Sequence, residues 1–121
     1  MDGFALLLGH LVGDYILQND WMAKNKTGPG CLGHTACTYH CLFYTVAVAL
    51  LTTTWMPWWG LLACFAVHWP IDRFRLAGWW MRNVSGQRDF ATGPLSPWSI
   101  IVVDNTFHLL TLWVIAVIAG R

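Results

Sequence analysis

The stretch Pro97–Gly120, PWSIIVVDNTFHLLTLWVIAVIAG, holds one charged residue, Asp104, in an otherwise apolar run. As a helix rising about 1.5 Å per residue it is long enough to cross a bilayer core of about 30 Å. Three further apolar stretches precede it: Gly3–Gln18, Cys31–Thr53 and Trp58–Arg75. The second of the four is as capable of spanning as the last. The first and third are shorter and carry ionisable residues, so they span with interfacial anchoring by Trp21 and flanking polar groups. The composition agrees: of 121 residues, 56% are hydrophobic and 11% charged, with nine Trp. A soluble domain carries about 25% charged residues. The expected architecture is all-α, an integral membrane four-helix bundle forming a single transmembrane domain over residues 1–121.

Basic residues orient the bundle. Lys24 and Lys26 follow the first stretch, and Arg73, Arg75, Arg82 and Arg88 follow the third. The connection Thr54–Pro57 has none, and Arg121 alone lies on that side. The positive-inside rule therefore puts both termini outside and two basic loops in the cytosol, where those side chains secure topology and meet anionic headgroups. Trp55, Trp58 and Trp59 mark the outer interface. Trp21, Trp79, Trp80 and Trp98 mark the inner one. Leu76–Arg82 reads as an interfacial helix and Ser85–Pro97 as an irregular loop. The first stretch has no basic lead or cleavage site and is expected to be retained. The four Cys read as reduced thiols. No basic patch is large enough for nucleic acid.

Ionisable residues inside spans are costly and point to function. Here each span Asp has a His four residues away: His10 and Asp14, His68 and Asp72, Asp104 and His108. Such spacing puts each pair on one helical face. With the charge-derived orientation, every Asp is the cytosolic-side member and every His the deeper one. The pairs lie roughly 5–16 Å from the cytosolic ends, and His40 joins them at about 13 Å. His34 falls nearer the boundary.

Three chemistries can account for that layer. His10, Asp14, His40, His68, Asp72, Asp104 and His108 can ligate one or two divalent ions, most suitably zinc, with residual carboxylates orienting the imidazoles. Alternatively each Asp pairs with a protonated His, giving neutral dyads and a proton path. In the third account the pairs only hold helices together. Tyr44, four residues after His40, is a candidate proton donor, and Asp14 and Asp104 are candidate general bases. Gln18 extends the His10–Asp14 stripe toward a headgroup or ligand. Cys37 and Cys41 share a face and are minor ligand candidates. Gly9 and Gly13 form a close-packing pair, and Pro70 is expected to kink the third span.

The ordered motifs His10-Leu-Val-Gly-Asp14-Tyr-Ile-Leu-Gln18, Met22-Ala-Lys-Asn-Lys26, His40-Cys-Leu-Phe-Tyr44, His68-Trp-Pro-Ile-Asp72-Arg73 and Asp104-Asn-Thr-Phe-His108 resemble a family of small phage and bacterial membrane proteins of unknown function. Asp104-Asn105 stands where that family often reads Asp-Gln. The resemblance implies a phage or bacterial origin and supplies no activity; with the four apolar stretches, the expectation is a multi-pass protein of the bacterial inner membrane. A more distant similarity, to inner-membrane metal-dependent hydrolases, implies hydrolysis, expected here on a lipid or another membrane-embedded substrate. The competing expectations are an ion- or proton-coupled transporter or channel subunit, which at this size requires a homo-oligomer, and a non-enzymatic phage factor acting on the host envelope.

Overall fold

A computed structural model describes residues 2–53 and 55–120. The described residues are helical with no strand: α1 (Gly3–Leu11) runs into a π-helical segment (Val12–Ile16), followed by α2 (Asp20–Asn25), α3 (Gly30–Leu51), α4 (Trp58–Arg73), α5 (Leu76–Asn83), α6 (Arg88–Thr92) and α7 (Trp98–Ala119). The four apolar stretches thus become α1 with its π segment, α3, α4 and α7. Arg121, and Thr54 in the connection before α4, lie outside the described residues.

Helix boundaries follow local chemistry. Asp2 caps α1 by accepting from the Phe4 amide at 2.9 Å, and Asn19 caps α2 by accepting from Met22 at 2.8 Å. Pro57 and Pro97 directly precede α4 and α7, where a missing amide proton costs nothing. The helix α4 runs unbroken through Pro70 to Arg73. α2 occupies part of the first basic connection, and α6 interrupts Ser85–Pro97, which was expected to be irregular. In α6, the Thr92 hydroxyl donates to the Arg88 carbonyl at 2.8 Å. Between α4 and α5, Arg75 adopts φ 51°, ψ 48°. This left-handed conformation costs a non-glycine residue about 1–2 kcal/mol.

α3 packs on α1 and α4, and α7 packs on α4 and α1, so the four helices close a ring, with α5 against α7. Glycines set the closest approach. A Cβ on Gly13 would lie 2.6 Å from Tyr44 Cδ2 and 2.9 Å from Tyr44 Cα, and one on Gly9 would lie 3.1 Å from Val48 Cα. The close-packing reading of Gly9 and Gly13 is thereby given its partners, both on α3. At that contact the chain widens into the π segment, with Leu17 donating to the Val12 carbonyl at 2.9 Å.

Polarity is inverted relative to a soluble protein. One end of the ring is a dry core of Leu6, Tyr44, Val48, Cys64, Leu112, Ile115 and Ala116. The adjoining interior holds four His at 1–2% exposure, while Trp58 (76%), Leu50 (67%) and Leu62 (61%) cover the outside. Two helices, Gly30–Leu51 and Trp98–Ala119, are long and apolar enough to cross a membrane. Replacing Gly13 by Ala should cost about 1–3 kcal/mol through overpacking against Tyr44. Gly3→Ala, whose Cβ meets nothing within 4 Å, should change stability by less than about 0.5 kcal/mol. Thermal unfolding of the two purified variants beside the parent checks this.

Candidate metal centre

The helical ring brings ionisable side chains from α1, α3, α4, α7 and the π segment into one layer. His10, Asp14, His40, His68, Asp72 and His108 are all buried, and Asp104 is partly exposed. His40 Nε2 lies 3.2 Å from Asp14 Oδ1, 3.0 Å from Asp72 Oδ2 and 3.1 Å from His68 Nε2. His68 Nε2 lies 3.2 Å from Asp72 Oδ2 and 3.6 Å from Asp14 Oδ1. On the far side of Asp72, His108 Nε2 is 2.9 Å from Oδ1 and 3.2 Å from Asp104 Oδ2. The His68 and His108 rings stack, with centroids 3.8 Å apart and planes 7° from parallel.

Pairing therefore runs mainly between helices. The same-face pairs expected from the sequence are present, but Asp14 approaches His40 on α3 at 3.2 Å more closely than its sequence neighbour His10 at 3.6 Å. His10 stands on α1 and Asp14 in the π segment, from which Asp14 also reaches His68 on α4.

Ligand atoms of Asp14, His40, His68 and Asp72 all lie within 4.8 Å of one another, as do those of Asp14, Asp104 and His108. The first set is fully buried and can hold a metal ion; Asp14 belongs to both sets. The donor chemistry fits a cation. Two imidazole nitrogens face each other across 3.1 Å, beside two carboxylate oxygens, so lone pairs crowd one point. Asp14 Oδ1 is buried and lacks a hydrogen-bond partner despite its nearby imidazoles, as does His68 Nδ1.

His10 and Tyr44 stand beside the convergence point. His10 Nδ1 lies 2.9 Å from the Tyr44 hydroxyl and Nε2 lies 3.1 Å from Asn105 Oδ1. Since that amide oxygen only accepts, His10 donates through Nε2 and receives the Tyr44 proton at Nδ1. Both ring nitrogens are thus occupied, and the Tyr44 hydroxyl is committed to His10. The Tyr44 ring in turn lies 4.0 Å from that of His68. Asn105 also donates from its Nδ2 to the Tyr15 hydroxyl. The amide after Asp104 thus bridges α7 to the first helix.

Lys26 went unrecognised in the sequence as part of the layer. Its Nζ donates to Asp72 Oδ2 at 2.7 Å. Burial works to lower the Lys26 pKa, but the Asp72 carboxylate, with Asp14 and Asp104 behind it, holds it above its ordinary value. One ammonium against three carboxylates leaves two negative charges when the imidazoles are neutral. That is the charge of one divalent cation.

His34 lies apart, accepting from Arg73 Nε at 2.8 Å beside the Trp69 ring. All four cysteines are free. The Cys37 thiol turns to the Trp69 carbonyl at 3.6 Å and to Cys41 at 4.0 Å, away from both ligand sets.

Two cavities reach the aspartate side of the layer. One, of about 310 Å³, is lined by Lys26, Asp72, Arg75, Arg82 and Asp104 among apolar residues. The other, of about 140 Å³, is lined by Asp14, Tyr15, Gln18, Lys26, Asp104 and Asn105. The histidine side meets the apolar core instead. The carboxylates thus lie on the side of Lys26, Arg75 and Arg82, and His68 and His108 on the side of Tyr44, Cys64 and Leu112.

No curated protein and no solved structure matches the chain. A family model does, over residues 4–120, and with its ordered His and Asp motifs gathered into one buried layer the chain belongs to DUF3307, a family of proteins of unknown function.

Proposed function

We propose that this protein is a four-span protein of the bacterial inner membrane, with both termini outside, that works as a metal-dependent hydrolase on a lipid or another membrane-embedded substrate. The inverted polarity supports the membrane reading. Apolar side chains cover the outside of the helices, charged groups are drawn to the interior, and Lys and Arg gather in two of the connections. At about 1.5 Å per residue, α1 with its π segment reaches about 21 Å and α4 about 24 Å. These two helices span through local thinning and aromatic anchoring.

The observation that carries the functional reading is the pair of donor sets sharing Asp14 at the floor of open cavities. His40, His68, Asp14 and Asp72 would hold the first ion, and His108 with Asp104 and Asp14 a second. Nitrogen and carboxylate donors suit zinc. Bound there, a divalent cation would supply Lewis acidity and a water of lowered pKa. The protein's own residues have distinct tasks. Asp104, with its side chain 28% exposed and His108 at 3.2 Å, is placed to take a proton from water at the cavity. His10, fixed by Tyr44 and Asn105, holds the Tyr44 ring against His68.

A proton- or ion-coupled transporter is the second reading. The hydrogen-bonded run Tyr15–Asn105–His10–Tyr44 favours it, and it predicts proton or metal flux in liposomes. The apolar core directly beyond the histidines favours a site with one open side.

Protein purified in detergent should contain one to two zinc ions per chain by elemental analysis. Asp72→Asn and His68→Ala should each lower that content by at least one ion per chain, and Cys37→Ser should leave it unchanged. His10→Ala should weaken zinc affinity about 10–100-fold, the usual cost of losing an orienting partner. If the unsubstituted protein is metal-free and Asp72→Asn changes nothing, the metal reading fails. Asp104→Asn should lower turnover of a lipid ester by about 10²–10⁴-fold, as expected for loss of a general base, while the ion held by His40, His68, Asp14 and Asp72, a set that does not include Asp104, persists. Undiminished turnover would remove Asp104 from that role.

A further inference from the structure

The larger cavity has a composition that the metal site does not require. Three cations from separate places in the chain line it: Lys26 after α2, Arg75 between α4 and α5, and Arg82 within α5. Ile71, Ile100 and Ile101 form apolar walls. Arg75 is held there at some backbone strain, with its Nη2 donating to Thr27 Oγ1 at 2.8 Å. Strain of this kind persists where the surroundings over-determine it and gathers at ligand sites. Arg82 lies over Gly78, where a Cβ would come within 3.1 Å of its guanidinium. The glycine leaves room for the arginine at the wall.

Asp72 and Asp104 belong to the same lining, so the cations outnumber the acids by three to two. Asp72 is already met by Lys26 and three imidazoles. Among the described residues, no carboxylate pairs with the two guanidiniums. They carry planar forks that match phosphate oxygens in pairs. Trp79 and Trp80, which follow the lining residue Gly78, and Trp98, which follows the lining residue Pro97, are exposed, and exposed tryptophan is the aromatic signature of headgroup depth. Gln18 Oε1, buried and without a partner, lines the adjoining smaller cavity. The two cavities share Lys26, Ile101 and Asp104. An anion on the arginines would therefore sit beside the partly exposed carboxylate of the site.

From this placement we infer that the cavity binds the phosphate group of an amphiphile, with Arg75 and Arg82 on the phosphate oxygens and the isoleucines against its chain. This rests on the hydrolase reading for turnover. Water would form the new P–O bond and the ester P–O bond would break. The proton taken by Asp104 would pass to the departing alkoxide, leaving an alcohol and a phosphate.

Isothermal titration of the full chain in a zwitterionic detergent tests this, with dioctanoyl phosphatidic acid, dioctanoylglycerol and inorganic phosphate as separate probes. Metal content is measured on the same samples. The phosphatidic acid should bind at least tenfold more tightly than either of the others. The exposed pair Arg75→Gln/Arg82→Gln should weaken it at least tenfold with metal content unchanged, and Arg88→Gln, outside the cavity, should not. Equal affinity for inorganic phosphate would make free phosphate the ligand and overturn the amphiphile assignment. Equal affinity for dioctanoylglycerol would overturn the phosphate assignment. An unchanged double variant would overturn the arginine assignment. Metal-loaded protein that binds no phosphatidic acid overturns this inference and spares the metal reading, whereas metal-free protein that binds it does the reverse.

Discussion

Three carboxylates and four imidazoles share one layer inside a helical ring whose outer surface is apolar, and the rest of the structure answers to that constraint. A buried charge is tolerated only when paired or neutralised. Asp72 shows how far the protein goes to meet this: His40, His68, His108 and Lys26 all contact its two oxygens. Even so, a net excess of negative charge remains when the imidazoles are neutral. Helix glue accounts poorly for this, because interhelical polar contacts contribute only about 0.6–2 kcal/mol each even where no water competes. A cation at the convergence of donor atoms accounts for it directly.

The backbone serves the same layer. Gly13 lets α3 come close enough for Tyr44 to lie against the first helix, and the π segment beginning at that contact carries Asp14 toward α3 and α4. π-helical turns occur often at functional sites, and here the π segment closes the first helix at Ile16 with Asp14 within it. Tyr44 and His10 then back the ligand groups from the apolar side, and Lys26 closes them from the basic side. The site consequently has apolar side chains on one side and a cavity lined by Lys26, Arg75 and Arg82 on the other.

Much of this was legible in the chain. Four-residue spacing of His and Asp in three apolar stretches identified the layer, and its Asp side lies next to Lys26, Arg75 and Arg82. Long helices were legible because hydrophobic runs bounded by Pro and Gly leave little choice. Other features depend on tertiary contact and carry no local signal. No residue in Val12–Ile16 announces a π turn, which coincides with packing on α3. Likewise, His10 and His68 have the same spacing to their Asp, yet one is diverted to Tyr44 and Asn105 while the other joins the donor set. Lys26 looked like a topology signal because its partner, Asp72, is remote in sequence. The left-handed Arg75 was equally hidden, since arginine has no preference for that conformation.

The central claim is that His40, His68, Asp14 and Asp72 together ligate a divalent ion. X-ray absorption at the zinc edge, on zinc-loaded protein in detergent, tests it most directly. The account predicts a first shell of nitrogen and oxygen atoms at about 2.0–2.2 Å, no sulfur shell near about 2.3 Å, and outer-shell scattering from imidazole rings. In His40→Ala/His68→Ala protein the imidazole scattering should fall to at most that of one ring, from His108 of the second set. A sulfur shell, or imidazole scattering that persists unchanged in the double variant, would contradict the account.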